Sequence, residues 1–197
     1  MDAISSRARG SMESETEQLE GAESSFPLEP GACYLIKERK PDISYRLFSM
    51  LTQAKIPGVV ITRQYPDRVR RERGIQDSRI IWLSHTPGQD HHNPTALGSL
   101  AKLISGFVEE NQGVCVILLD GIEYLGVNNG FLQTLMFAEH VNEFVMQRKA
   151  IVLIPVSPEA LEEKELALLE RNVEVVESPV LKMHLETREV SRLLDTY

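Results

Sequence analysis

One stretch, Val114-Cys115-Val116-Ile117-Leu118-Leu119-Asp120-Gly121, constrains the fold more than any other. Six apolar residues run without a polar break and end in a carboxylate and a glycine. A strand with one wet face would alternate apolar and polar residues. A short unbroken run reads instead as a strand buried on both faces, in the middle of a parallel sheet. Asp120 then falls at the carboxyl end of a central strand, where open α/β sheets hold their ligands.

The rest of the chain supplies neighbours for such a strand. Residues 33–36, 59–62, 80–83, 150–154 and 173–176 are further apolar runs of strand length. Helical spacing lies between them. Tyr45, Leu47, Phe48 and Leu51 form one stripe. Leu97, Leu100, Ile104, Phe107 and Val108 form a second, and Phe131, Leu135, Ala138, Val141 and Val145 a third. Residues 67–73 predict a short basic helical turn closed by Gly74, and Asn128-Asn129-Gly130 predicts a turn. Asn93-Pro94 and Ser157-Pro158-Glu159 read as helix starts. Strand and helix alternate throughout, which demands right-handed crossovers and a parallel sheet covered on both faces. The expected fold is α/β: a three-layer sandwich around a mostly parallel central sheet, within residues 26–178.

The ends read differently. Residues 1–25 are expected to be a disordered acidic tail. Glu13, Glu15, Glu17, Glu20 and Glu23 have few apolar partners to offset the entropy of ordering. Arg9-Gly10-Ser11-Met12 has the make-up of a cloning scar. Residues 179–197 read as an extension. Leu181, Met183 and Leu185 alternate with Lys182, His184 and Glu186, as in a short edge strand. Val190, Leu193 and Leu194 suggest a last helix.

Charge and cysteine usage bound the function. The formal net charge of -8 repels phosphate, which argues against nucleic acid and anionic membrane surfaces as partners. No run approaches the length of a membrane span. Cys33 and Cys115 lie inside strand-like runs and read as buried free thiols in a reducing cytoplasm.

The bend after the first strand is where nucleotide-binding α/β domains place their phosphate loop, Gly-x-x-x-x-Gly-Lys-Ser/Thr. Here that stretch is Lys37-Glu38-Arg39-Lys40-Pro41-Asp42-Ile43-Ser44, without a glycine. A chain carrying side chains throughout cannot easily fold its amides around a triphosphate. Asp120 still resembles the magnesium-coordinating carboxylate of such enzymes, with Glu123 three residues on. The competing reading is a structural carboxylate that caps the following turn. Arg63, just past the second strand, could pair with Asp120 or Glu123 and replace a lost cation. Arg68, Arg70, Arg71 and Arg73 read as a solvated helix face, or more sharply as a docking patch for an acidic partner. His85, His91 and His92 share a polar loop, but adjacent histidines diverge and a metal site is not expected. A hydrolase using Glu123 to activate water has no visible oxyanion or metal partner. Trp82 and the phenylalanines read as core.

Several segments resemble an archaeal family, domain of unknown function 835, from about residue 27 to residue 177. They are residues 29–37, 57–63, 66–70, 81–84, 93–95, 116–125, 129–131 and 154–161, with Val116-Ile117-Leu118-Leu119-Asp120-Gly121-Ile122-Glu123-Tyr124-Leu125 the most telling. The resemblance implies a module with no assigned activity, in some members attached to signalling architectures. The strand order also resembles a RecA-type core of the circadian-clock ATPase kind, without its phosphate loop. The expected function is a non-catalytic regulatory or protein-interaction module, in intracellular signal transduction, on a degenerate nucleotide-binding scaffold. No cofactor is expected, and a protein partner or self-association is. The alternative is a sensor that binds a nucleotide or small anion at the sheet edge through Asp120 and Arg63.

Overall fold

A computed structural model describes residues 28–187. Among them run the strands β1 (Ala32–Lys37), β2 (Gly58–Thr62), β3 (Arg79–Leu83), β4 (His91–His92), β5 (Cys115–Asp120), β6 (Ala150–Val156) and β7 (Glu174–Glu177). They form one sheet in the order β4-β3-β2-β5-β6-β1-β7, and every pairing is parallel. The helices are α1 (Asp42–Gln53), α2 (Pro66–Arg73), α3 (Leu97–Glu110), α4 (Ile122–Asn129), α5 (Phe131–Val145), α6 (Glu163–Glu170) and α7 (Ser178–Thr187).

The central strand is β5, as the apolar run requires. Its side chains alternate between the two faces of the sheet. Val116 and Leu118 join Phe48 and Leu51 of α1, Val60 of β2 and Leu153 of β6 in one core. Cys115, Ile117 and Leu119 join Leu100 and Ile104 of α3 and Val141 of α5 in the other. Two apolar cores, one on each side of the sheet, make the three-layer sandwich. Each fully buried Leu, Ile or Val contributes about 1.5–3 kcal/mol relative to exposure. Burial pushes the Cys33 thiol up to about 12 and the Cys115 thiol up to about 11, so both stay protonated and inert.

Some local expectations fail for identifiable reasons. Residues 181–186 are not a strand; they belong to α7, where Leu181 and Leu185 are buried one turn apart. The stretch satisfies both periods, and packing against α1 selects the helical one. Asn93 does not open a helix. Its Oδ1 accepts bonds from the Thr95 amide (3.0 Å) and hydroxyl (2.9 Å), holding a turn, and α3 starts at Leu97. Ser157 precedes only a 3-10 turn (Pro158–Ala160), and α6 opens later through a capping box between Glu162 and Glu165. The loop with the histidines contains β4, which hydrogen-bonds to β3. Trp82 is half-buried rather than core. The expected tail at residues 1–25 and the last helix suggested by Val190, Leu193 and Leu194 lie outside the described residues. Among the described residues, no helix is long and apolar enough to cross a membrane.

Candidate functional site

Asp120 is the last residue of β5, and one of its carboxylate oxygens is crowded. Oδ2 accepts hydrogen bonds from the Tyr45 hydroxyl, the Thr62 hydroxyl and the Gln64 side-chain amide, each at 2.9 Å. The other oxygen, Oδ1, has no hydrogen-bond partner among the described residues. Thr62 stands opposite Asp120 in the β2–β5 register, and α1 delivers Tyr45 from above. Burial, then the negative charge of Asp120, pushes the Tyr45 hydroxyl far above its ordinary range. Tyr45 therefore remains a donor at any physiological pH. The Arg73 guanidinium lies over its ring, 4.9 Å from the centroid, and pairs with Asp42.

The expected Arg63–Asp120 ion pair does not form. Arg63 meets Asp120 only through the backbone, its N–H donating to the Asp120 carbonyl at 3.4 Å. The Arg63 carbonyl accepts the Trp82 indole N–H at 3.0 Å. Thr62, the last residue of β2, and Gln64, in the bend beyond it, both donate to Oδ2, and Arg63 lies in the bend between them without reaching the carboxylate. Arg63 is exposed, and its guanidinium has no partner among the described residues. Glu123, near the start of α4, does not pair with Arg63 either. Its Oε1 accepts the Ser157 amide at 2.8 Å, tying α4 to the chain leaving β6.

The bend between β1 and α1 is closed by Glu38. Its carboxylate accepts the Ile43 amide (2.9 Å), the Ser44 amide (3.0 Å) and the Ser44 hydroxyl. The Asp42 amide donates to the Lys40 carbonyl (2.7 Å) and the Tyr45 amide to the Pro41 carbonyl (3.1 Å). All four amides of the first turn of α1 are therefore used inside the chain. Burial outweighs these bonds and pushes the Glu38 carboxyl above its ordinary value.

The basic residues of α2 do not form one patch. Arg68 pairs with Glu72 at 2.9 Å. Arg70 donates to the carbonyls of Ile75, Gln76 and Ser78 and closes its own helix. Arg73 is held by Asp42 and Tyr45, which leaves Arg71 exposed and without a partner among the described residues. The histidines likewise diverge. His85 Nε2 bonds the Asn128 side chain at 3.1 Å, and His91 Nδ1 bonds the Thr86 carbonyl at 2.8 Å. His92 is buried, with Nδ1 unpartnered. Among the described residues, no cluster of three His, Cys, Asp or Glu side chains could hold a metal.

His92 gives a pH prediction. Burial lowers its affinity for a proton below that of the unfolded chain. As pH falls below about 6.5, the unfolded state takes up the proton first. Stability is complete above that pH and declines beneath it, until the folded form also protonates. Melting temperatures measured from pH 7.5 to 5 should fall for the native chain and fall less for His92→Gln, within an otherwise similar slope. Parallel curves would exclude His92 as a contributor.

A cleft of about 310 Å³ opens at the carboxyl edge of the sheet. Arg63, Asp120 and Glu123 line it, with Tyr124, Val127 and Pro155 forming an apolar side. Sequence reasoning found the first three. It missed Tyr45, Thr62, Gln64 and Glu38, for which the acidic residue just before a helix start was the one available signal.

A family model described as a protein of unknown function, DUF835, matches residues 37–173. The chain belongs to this family. The match includes β2, β5 and β6 and the whole of the Asp120 network, so the site of this DUF835 protein lies within the family's extent. No curated protein matches the chain. Solved structures do. A Pyrococcus horikoshii OT3 protein, studied as project PH0250, has a TM-score of 0.56 at 16% identity, covering 76% of this chain and 83% of its own. The flagellar accessory protein FlaH of Methanocaldococcus jannaschii has a TM-score of 0.55 at 15% identity, with coverage of 76% and 72%. A KaiC-like protein, PH0186, of Pyrococcus horikoshii OT3 has a TM-score of 0.51 at 11% identity, with coverage of 75% and 73%. At such identities the likeness is one of fold: this DUF835 chain has a RecA/KaiC-like α/β architecture.

Proposed function

We propose that this protein is a non-catalytic regulatory module, acting by protein–protein contact on a scaffold whose nucleotide seat is filled by its own chain. The observation that carries this reading is Glu38. A helix amino terminus attracts phosphate because its first amides lack partners. In α1 the Glu38 carboxylate and the carbonyls of Lys40 and Pro41 already take those amides. A triphosphate would have to displace a carboxylate and then sit beside it. Asp120, on this reading, anchors Tyr45 of α1 rather than a magnesium ion. A contact surface is at hand on α5. Leu132 and Met136 stand one helical turn apart and are 65% and 53% exposed. A role in intracellular signal transduction follows as the setting in which such a module would act.

The test has two arms. Thermal unfolding with ATP, GTP and magnesium should show no shift, since a ligand that binds the folded state must raise its melting temperature. Light scattering and affinity capture should recover an assembly, with itself or another protein, that Leu132→Asp/Met136→Asp abolishes without changing the melting temperature. Nucleotide-linked stabilisation, or an unassociated monomer that captures nothing, would sink the proposal.

A further inference from the structure

The cleft at the carboxyl edge of the sheet adjoins the filled seat at α1, since Glu38 and Pro41 also line it, and differs from it in what it leaves unsatisfied. Of its charged groups, Glu38 caps α1 and Arg39 pairs with Glu159 at 3.6 Å, while three others have unused capacity among the described residues. The Arg63 guanidinium makes no ion pair or hydrogen bond among the described residues. Asp120 has Oδ1 unpartnered while three donors fix Oδ2, so the free oxygen is held in one orientation. Glu123 is fixed through Oε1 by the Ser157 amide, which leaves Oε2 free. The site is preorganised, because each carboxylate is locked from behind by groups on rigid elements. Beside it stands an apolar wall: Val127, 85% exposed, with Tyr124 and Pro155.

The complement of these groups can be written down. Two free carboxylate oxygens call for a cation with several donors, which a primary ammonium supplies and a metal ion does not match, given the absence of a third ligand among the described residues. A free guanidinium calls for a carboxylate, which it grips with two parallel bonds. The exposed valine calls for an apolar group. The volume, at the lower end of the range of about 300–1,000 Å³ for small-molecule sites, suits a compact ligand. We infer that the cleft of Arg63, Asp120 and Glu123 binds a small zwitterion: an α-amino acid with an apolar side chain. The ammonium sits between Asp120 Oδ1 and Glu123 Oε2, the carboxylate faces Arg63, and the side chain lies on Val127 and Pro155. This site is independent of the α5 contact surface, and it would make the module responsive to a metabolite without any phosphate seat.

Calorimetric titration of the full chain with the common L-amino acids tests the inference. Two half-ligands accompany leucine: isoamylamine, which lacks the carboxylate, and 4-methylvalerate, which lacks the ammonium. The expected result is saturable binding of one or more apolar amino acids, weakened about tenfold or more in each half-ligand. Arg63→Gln, at an exposed position, should cost the amino acid about tenfold and leave the amine unchanged. Glu123→Gln keeps an acceptor for the Ser157 amide and should weaken both. Leu132→Asp/Met136→Asp should bind as the native chain does, which separates this site from the assembly. The inference is overturned if no amino acid binds saturably, if neither Arg63→Gln nor Glu123→Gln alters binding, or if 4-methylvalerate binds as tightly as leucine.

Discussion

Asp120→Ala should lower the unfolding free energy by about 3–5 kcal/mol, read as a melting temperature about 10 °C lower. The size follows from what is left behind. Tyr45, Thr62 and Gln64 each lose the acceptor that holds them, and Tyr45 and Thr62 are buried. A stranded buried donor costs about 1–3 kcal/mol, against about 1 kcal/mol for deleting a donor with its bond. Tyr45→Phe should accordingly cost about 1 kcal/mol in the native chain and close to nothing once Asp120 is alanine. That non-additivity is the decisive measurement. A carboxylate poised mainly for catalysis or for a metal would be relieved by removal, and Asp120→Ala would then be neutral or stabilising. Urea unfolding of the four chains distinguishes the cases.

Phe48→Ala should cost about 3–5 kcal/mol. Phe48 is fully buried on the face of α1 that covers the sheet, among Leu51, Val60 and Leu118. Its ring also lies against the start of β2. A Cβ built on Gly58 would come within 2.7 Å of Phe48 Cζ and 2.5 Å of Thr52 Cγ2. Helix and strand approach closely there because Gly58 has no side chain. Gly58→Ala should therefore destabilise the native chain through overpacking, by about 1–3 kcal/mol. In the Phe48→Ala background the clash with the ring is gone and only that with Thr52 remains, so Gly58→Ala should cost less there than in the native chain. A loss below about 1.5 kcal/mol for Phe48→Ala, or the same cost of Gly58→Ala in both backgrounds, would contradict this packing of α1 on the sheet.

The sequence showed the sheet more readily than the site, for a physical reason. Strands buried on both faces carry their signature in consecutive residues, so β5 and β6 could be recognised from local runs alone. β4 could not, because two histidines held only by pairing to β3 have no local signature. α7 failed because Leu181 and Leu185 fit either period until the α1 surface is present. The site is non-local. Asp120 was visible as a carboxylate ending a buried strand, but Tyr45 lies 75 residues away on a stripe that looked wholly apolar. Its hydroxyl is one polar atom at the tip of a core residue, and no spacing rule reveals its acceptor. Arg63 was placed on the right edge and given the wrong partner, since Tyr45, Thr62 and Gln64 already hold the Asp120 carboxylate. Glu38 was read as one charge among several in a loop. Its role emerges only when the amides of α1 are accounted for one by one.

The sheet ends in β4, a strand of two residues, on one side and β7 on the other, where glutamates stand at both ends of a four-residue strand. Among the described residues, the β4 border leaves only Arg79–Ile81 of β3 without a strand partner on that side, a short length for another polypeptide to zip onto, and the charges on β7 discourage pairing at the other border. The described part of the molecule therefore offers a partner chiefly the side chains on its helices and along its crest. That restriction also guards it against stacking edge to edge into fibrils with its own kind.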